Sequence, residues 1–361
     1  MILSSRRDLR RDDKNNENPL AKSRGFFVAH AAHSSHPIRD RVDPFTLPLR
    51  RNNVFNSETA SSTHGSIAAA LTPPMNDLPL SSRMNAAWML ARREWTRFFR
   101  QRNRVTAAVL QPLLFWLLFG TGLSGSFASA GGENFMQFFL PGTVALIVLF
   151  TAIFATISVI EDRREGFMQS VLVSPTGRFP VLLGKILGGG AIAWVQALFF
   201  LVLVYAVGAV TGSSTLPTLS ASFPLLLLLL AVIAIAMCAL GMIVAWPMES
   251  TQGFHAIMML GLMPMWLLAG TFFPIPAWSI SGPGADGNWA HWALAGIMQA
   301  NPLSYSMVEL RRLINPNLDL SSAGFAPSPL LCWTVTLVAT GLTVAVAWYL
   351  MRGSRRADTM V

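Results

Sequence analysis

Charge is what this sequence withholds. Six long runs, 105–123, 138–160, 186–211, 223–246, 253–273 and 330–351, contain no aspartate, glutamate, lysine or arginine. Charged residues make up 12% of the 361 residues, against about 25% in ordinary soluble domains. Ion-coupled transporters and proton relays generally place ionisable groups within the bilayer, so uncharged runs weigh against that class. Cysteine is nearly absent too. Cys238 and Cys332 both lie inside apolar runs, where they read as small packing residues and indicate neither a disulfide framework nor a metal site. No G-x-x-x-x-G-K-[ST] run occurs, so no phosphate-cradling loop for ATP can be read in the chain. H-E-x-x-H and G-x-S-x-G are missing as well, which argues against a membrane protease or acyltransferase.

What remains is apolar and blocky. Hydrophobic residues make up 52% of the chain, segregated into those six runs. Each run is near or above the roughly 20 residues a helix needs to cross about 30 Å of hydrocarbon. The expectation is an all-α integral membrane protein with six transmembrane helices. Gln111 and Pro112 interrupt the first; proline is tolerated where neighbours satisfy the freed carbonyl. Gln111 and Gln196 are the most polar side chains in the runs, and they read as interhelical hydrogen-bonding groups worth roughly 0.6 kcal/mol each.

The net charge is +9, and its placement sets orientation. Six arginines fall between Arg92 and Arg104, four basic residues between Glu161 and Lys185, and three after Met351, whereas 124–137 and 212–222 have none. The positive-inside rule places both termini and the Glu161–Lys185 loop in the cytoplasm of a multi-pass protein. The arginines flank spans, so nucleic acid is not the implied partner.

Residues 1–83 hold twelve basic and eight acidic side chains and show no sustained apolar period. They read as a disordered extension, or as an over-extended reading frame with initiation at Met75 or Met84. Residues 84–104 read as an interfacial amphipathic helix. Arg93, Arg97, Arg100 and Arg104 share one face, and Trp88, Ala91, Trp95 and Phe98 lie turned away from it, at headgroup level.

The loop between the second and third runs carries the functional argument. Glu161 and Asp162 end a span with carboxylates in water; Arg163, Arg164 and Glu165 continue the charge, and Gly166 permits a turn. Phe167, Met168, Val171 and Leu172 then make a short helix too apolar for a free connector. Ser174 and Pro175 stop it before the chain reaches Lys185 and the third span. Beyond the fifth run, Pro274 opens an outer segment in which Asn301 and Pro302 break the chain before a short helix. Tyr305 lies on that helix, and Arg311 and Arg312 fall near its end, within reach of lipid phosphates.

The loop resembles that of the type-2 permeases of ABC exporters, in Arg164-Glu165-Gly166, Ser174-Pro175 and Leu183-Gly184-Lys185. Gln196, the run LAGTFFP at Leu268–Pro274 and NPLSYSMVELRRL at Asn301–Leu313 extend the likeness to about residues 84–356. Two departures are Gln169, where the loop helix often carries a carboxylate, and the run SISGPGADGN, which lengthens the outer loop. The resemblance implies a six-span permease domain over 105–356, a cytoplasmic tail at 357–361 and a coupling helix between spans two and three. It further implies a second permease copy, contact with membrane lipids, and a separate ATP-binding cassette subunit that would bind ATP and Mg. No catalytic residue, metal or cofactor is implied for this chain. The location implied is a plasma or bacterial inner membrane and the cargo a lipophilic or lipid-linked molecule. Rival readings are an ion-coupled transporter and a membrane partner with no transport of its own.

Overall fold

Apolar runs of this length fold as helices because, with water excluded, every backbone amide must find its partner within the segment. A computed structural model describes residues 79–123, 135–173, 177–211, 222–278, 288–316 and 324–353, and the regular structure among them is helical. In chain order the helices are α1 Leu80–Arg100, α2 Arg102–Gly122, α3 Phe135–Ala155, α4 Ile157–Arg164, the short α5 Phe167–Val173 and α6 Phe179–Thr211. There follow α7 Phe223–Ala245, α8 Thr251–Trp266 with a π turn at Leu267–Thr271, α9 Trp289–Ala300, α10 Pro302–Ile314 and α11 Pro329–Gly353. Several starts are fixed by local chemistry. Ser250, Asn288 and Asn301 each accept a hydrogen bond from a first-turn amide, at 3.3, 3.1 and 3.0 Å. Pro302 sits at the first helical position, where no amide is required.

Five of the described helical segments are long and apolar enough to cross a membrane: Phe135–Arg164, Phe179–Val210, Phe223–Ala245, Thr251–Thr271 and Pro329–Arg352. The first expected run does not join them. Arg102 and Arg104 occupy the opening turn of α2, and among the described residues its apolar stretch is Leu110–Gly122. The expected interfacial helix also differs in extent. It already begins at Leu80 and ends at Arg100, where Gln101 leaves helical geometry (φ −91°, ψ 78°). Arg104 therefore belongs to α2, and the arginine row is divided between two helices. Residues 1–78 and 357–361 lie outside the described residues.

The core sits around α3. Its most apolar window is 78% buried, against 17% for α11, so α3 is the central span and α11 a peripheral one. Helices α2, α6, α7 and α8 pack around α3, while α11 lies against α7 and α10. Lipid tails are as apolar as leucine, so close contact between backbones holds such a bundle together. At the end where α3 passes into α4, the chain gathers its charges.

Candidate functional site

Helix α1 lies closer to α6 than ordinary side chains permit. Gly184 and Gly188 on α6 face Ala87 and Ala91 on α1, a small-x-x-x-small row on each helix. A Cβ at 184 would sit 2.7 Å from the Ala87 carbonyl oxygen, and one at 188 would sit 3.1 Å from the Ala91 Cα. Lys185, between the two glycines, is thereby brought up to Glu94 of α1 and Asp162 of α4.

Asp162 is the hub. Its carboxylate is fully buried, with Lys185 3% and Glu94 6% exposed beside it. Arg93 donates to both Asp162 oxygens, at 2.8 Å and 3.0 Å, and Arg97 adds a third bond at 3.1 Å. The Lys185 ammonium donates to Asp162, to Glu94 at 2.6 Å and to Ser158 Oγ at 3.0 Å. Arg97 also reaches Glu161 at 2.9 Å and lies 3.6 Å from Glu165. Hydrogen bonding to Asp162 holds Arg93 more firmly protonated than a free arginine, against the opposing effect of burial. Buried ion pairs add little net stability over apolar packing, yet removing one partner is costly. The cluster therefore acts on register: it fixes α1, α4 and α6 against one another.

A second clasp holds the other side of α4. Arg163 donates to the carbonyls of Trp246 at 2.6 Å and Met248 at 3.3 Å, with its guanidinium 5.2 Å from the Trp246 ring centre. Arg164 donates to the Glu249 carbonyl at 3.0 Å. These bonds cap the end of α7 and tie the α7–α8 turn to α4. Gly166, at φ +74°, supplies the left-handed residue that turns α4 into α5. On α5, Phe167 lies under the Arg93 guanidinium at 3.9 Å, Met168 is buried and Val171 packs against the core. Arg164, Glu165, Gly166, Gln169 and Ser170 are exposed. The arrangement is a short rigid hairpin with a polar outer face, fastened to four helices.

The model of the ABC-2 type transporter family matches residues 85–314, from α1 to the end of α10. The chain belongs to that family. A transport permease of Cyanophora paradoxa, ycf38, is 27% identical over 117 residues, 32% of this chain and 40% of that protein. DrrB1 of Streptomyces coeruleorubidus, a daunorubicin resistance ABC transporter permease protein, is 26% identical over 251 residues, 68% of this chain and 77% of that one. Membership makes the protein a multi-pass membrane subunit of an ABC transporter, a class that works with an ATP-binding cassette subunit.

In this ABC-2 subunit several residues stand elsewhere than the sequence reading placed them. Asp162 was expected in water and is buried, because two arginines and a lysine converge on it. Arg93 and Arg97 turn inward to that carboxylate, while Arg100 is exposed. Ala91 and Phe98 pack inside the protein; Trp88 is exposed and Trp95 contacts Phe99 at 5.1 Å. Ser174 and Pro175, and the side chains of Leu172 and Arg104, lie outside the described residues. Glu94 and Ser158 went unnoticed. The signal was available for Glu94: it is the one acid among the arginines at 92–104, and Lys185 is the one lysine after residue 22.

The segment that follows the π turn of the ABC-2 subunit is stitched back to the C-terminal end of α8. Pro264 and the π turn interrupt that helix's own ladder, and side chains from downstream supply the missing bonds. Asn301 donates to the Met265 carbonyl at 2.7 Å, Ser304 to that of Leu268 at 3.4 Å, and Arg311 to that of Gly270. Arg311 is therefore not placed at lipid phosphates. It is buried, with its guanidinium 3.9 Å from the Phe138 ring centre. Tyr305 packs edge-on against Phe325 at 5.3 Å, and Pro274 and Pro302 are exposed.

Gln196 departs from its expected role. Its amide is buried, and neither its oxygen nor its nitrogen has a hydrogen-bond partner among the described residues. A buried amide left unpaired costs about 1–3 kcal/mol. Gln196→Leu is accordingly expected to raise the thermal unfolding midpoint of the solubilised protein, and a lowered midpoint would show that the amide is bonded.

Proposed function

We propose that this ABC-2 subunit is the permease half of an exporter. A separate ATP-binding cassette subunit docks on the exposed face of the α4–α5 hairpin, and the cargo is a lipophilic molecule moved outward. The charged end of the bundle faces the cytoplasm, with both chain termini on that side, and α2 completes six spans through its short apolar stretch. Two permease copies and two ATPase subunits form the working complex in a plasma or bacterial inner membrane, and ATP and Mg belong to the ATPase subunits.

One observation carries this reading. Asp162 of α4 is bonded at once to α1, through Arg93 and Arg97, and to α6, through Lys185. A displacement imposed on the hairpin is thus delivered to a juxtamembrane helix and to a helix of 33 residues. A mere connector would have no use for so many charge-assisted bonds. The uncharged runs support a lipophilic cargo, and so does the daunorubicin resistance named for the Streptomyces relative.

Glu165 is the test. It is 60% exposed on the hairpin's outer face, and its reversal forfeits only the 3.6 Å pairing with Arg97, so an unchanged unfolding midpoint is the control that the bonds to Asp162 survive. Glu165→Lys is expected to weaken copurification with the ATPase subunit about tenfold or more, since a like-charge contact at an interface costs several kcal/mol. Substrate-stimulated ATP hydrolysis should fall with it. A mutant complex that assembles and responds to substrate normally refutes the docking face.

A further inference from the structure

The arginines of α1 and the start of α2 divide between two tasks. Arg93 and Arg97 turn inward to Asp162. Arg92, Arg100 and Arg102 are exposed, and among the described residues none of the three makes an ion pair. The one acid of α1, Glu94, is buried against Lys185 and does not serve them. The outward face thus carries concentrated positive charge that the described part of the subunit leaves unanswered.

Large apolar side chains share that face. Trp88, Arg92, Trp95 and Phe99 fall at i, i+4, i+7 and i+11, a single stripe of the helix. Trp88 is 67% and Phe99 45% exposed, and Met84 and Met89 are exposed with them. The stripe that α1 buries is a different one, Ala87, Ala91, Glu94 and Phe98. Guanidinium groups set among indole and phenyl rings match a surface that is anionic outside and apolar beneath, which is the headgroup region of a bilayer. An acidic protein surface would answer the charges and leave the rings without an apolar counterpart. The chain then runs directly into α2, whose apolar stretch opens at Leu110, about 12 Å along the helix from Arg102.

We infer that the outward face of α1 is a binding surface for anionic phospholipid. Arg92, Arg100 and Arg102 each take a headgroup phosphate through charge-assisted bonds, and acyl chains lie against Trp88, Trp95 and Phe99. Helix α1 is then held from both sides, by lipid outside and by α6 inside. Because the same helix supplies Arg93, Glu94 and Arg97 to the Asp162 cluster, anionic lipid steadies that cluster without touching it. The surface is independent of the direction of transport and of the cargo.

The test uses the full chain in nanodiscs with a bimane label on Thr96→Cys, an exposed position in the row between Arg92 and Arg100; the two native cysteines are buried. Brominated phosphatidylglycerol and brominated phosphatidylcholine are compared as quenchers at equal content. Stronger quenching by phosphatidylglycerol is expected, with the preference falling about fivefold in each of Arg92→Gln, Arg100→Gln and Arg102→Gln, the usual worth of one arginine at an anionic surface. Arg92→Lys should keep the preference, and added salt should erode it. Phosphatidylglycerol should also slow proteolysis of α1 in the parent but not in the triple glutamine variant; equal rates in the parent would remove the link to the Asp162 cluster. Equal quenching by the two lipids overturns the inference, as does a preference that all three glutamine variants retain. Displacement by inorganic phosphate would assign the arginines to a soluble anion and overturn the lipid. Glutamine variants that keep the lipid preference but lose the copurifying ATP-binding cassette subunit would give the face to that partner instead.

Discussion

Asp162→Ala is expected to destabilise the solubilised subunit by about 3–5 kcal/mol, the usual consequence of stripping one side from a buried ionic cluster. Arg93, Arg97 and Lys185 would lose their common acceptor together. Lys185, with almost no access to water, would keep only Glu94 and Ser158. The loss reads out as a lowered apparent unfolding midpoint and as release of α1 to proteolysis. A cycle pairing Asp162→Asn with Lys185→Met separates attraction from shape. If the three helices are coupled through this carboxylate, the double mutant loses less than the sum of the singles by about 0.5–3 kcal/mol. Additive losses would mean that the charges are close without being coupled.

Gly184→Leu should be nearly as damaging, for a steric reason. The Ala87 carbonyl oxygen already stands 2.7 Å from where the first added carbon must go, and that oxygen is backbone and cannot rotate aside. Helix α1 has to retreat from α6, and overpacking of this kind typically costs about 1–3 kcal/mol. Retreat also carries Glu94 away from Lys185, so the charge cluster is opened from a site that bears no charge. Crosslinking between cysteines placed at Met84 and Val181, three residues before Ala87 and Gly184 on the same register, tests this directly: efficient closure in the parent and little in the variant. Equal crosslinking in both would show that the seat has slack.

Much of this was legible in the chain. The uncharged runs fixed the helical class, the five long spans and the position of the charged hairpin, because a run without charge has few alternatives to a membrane helix. The hairpin's motif residues also pointed to the family that the comparisons identify. The readings that failed share a cause. Arg93 and Arg97 were assigned to the arginine face of an interfacial helix and Asp162 to water, each from its own helix alone; only the approach of α1 to α6 through Gly184 and Gly188 makes them neighbours. Arg311 was misplaced for the same reason. Periodicity reports which face a residue occupies, whereas its partner comes from a helix tens of residues away. For the first run, the described apolar stretch of α2, Leu110–Gly122, is shorter than the 105–123 counted from the sequence, so its crossing stands as part of the proposal.

The side chains of Asn301, Ser304 and Arg311 have one more consequence. They finish α8 from more than thirty positions downstream, so covalent continuity is not what closes that end. The chain between includes α9, whose end is itself held by the bond from Gln299 to the Pro276 carbonyl at 2.8 Å. The SISGPGADGN run lies within that connection. Insertions or deletions in that run leave the bonds from Asn301, Ser304 and Arg311 in place, so the end of α8 stays capped while the sequence between diverges.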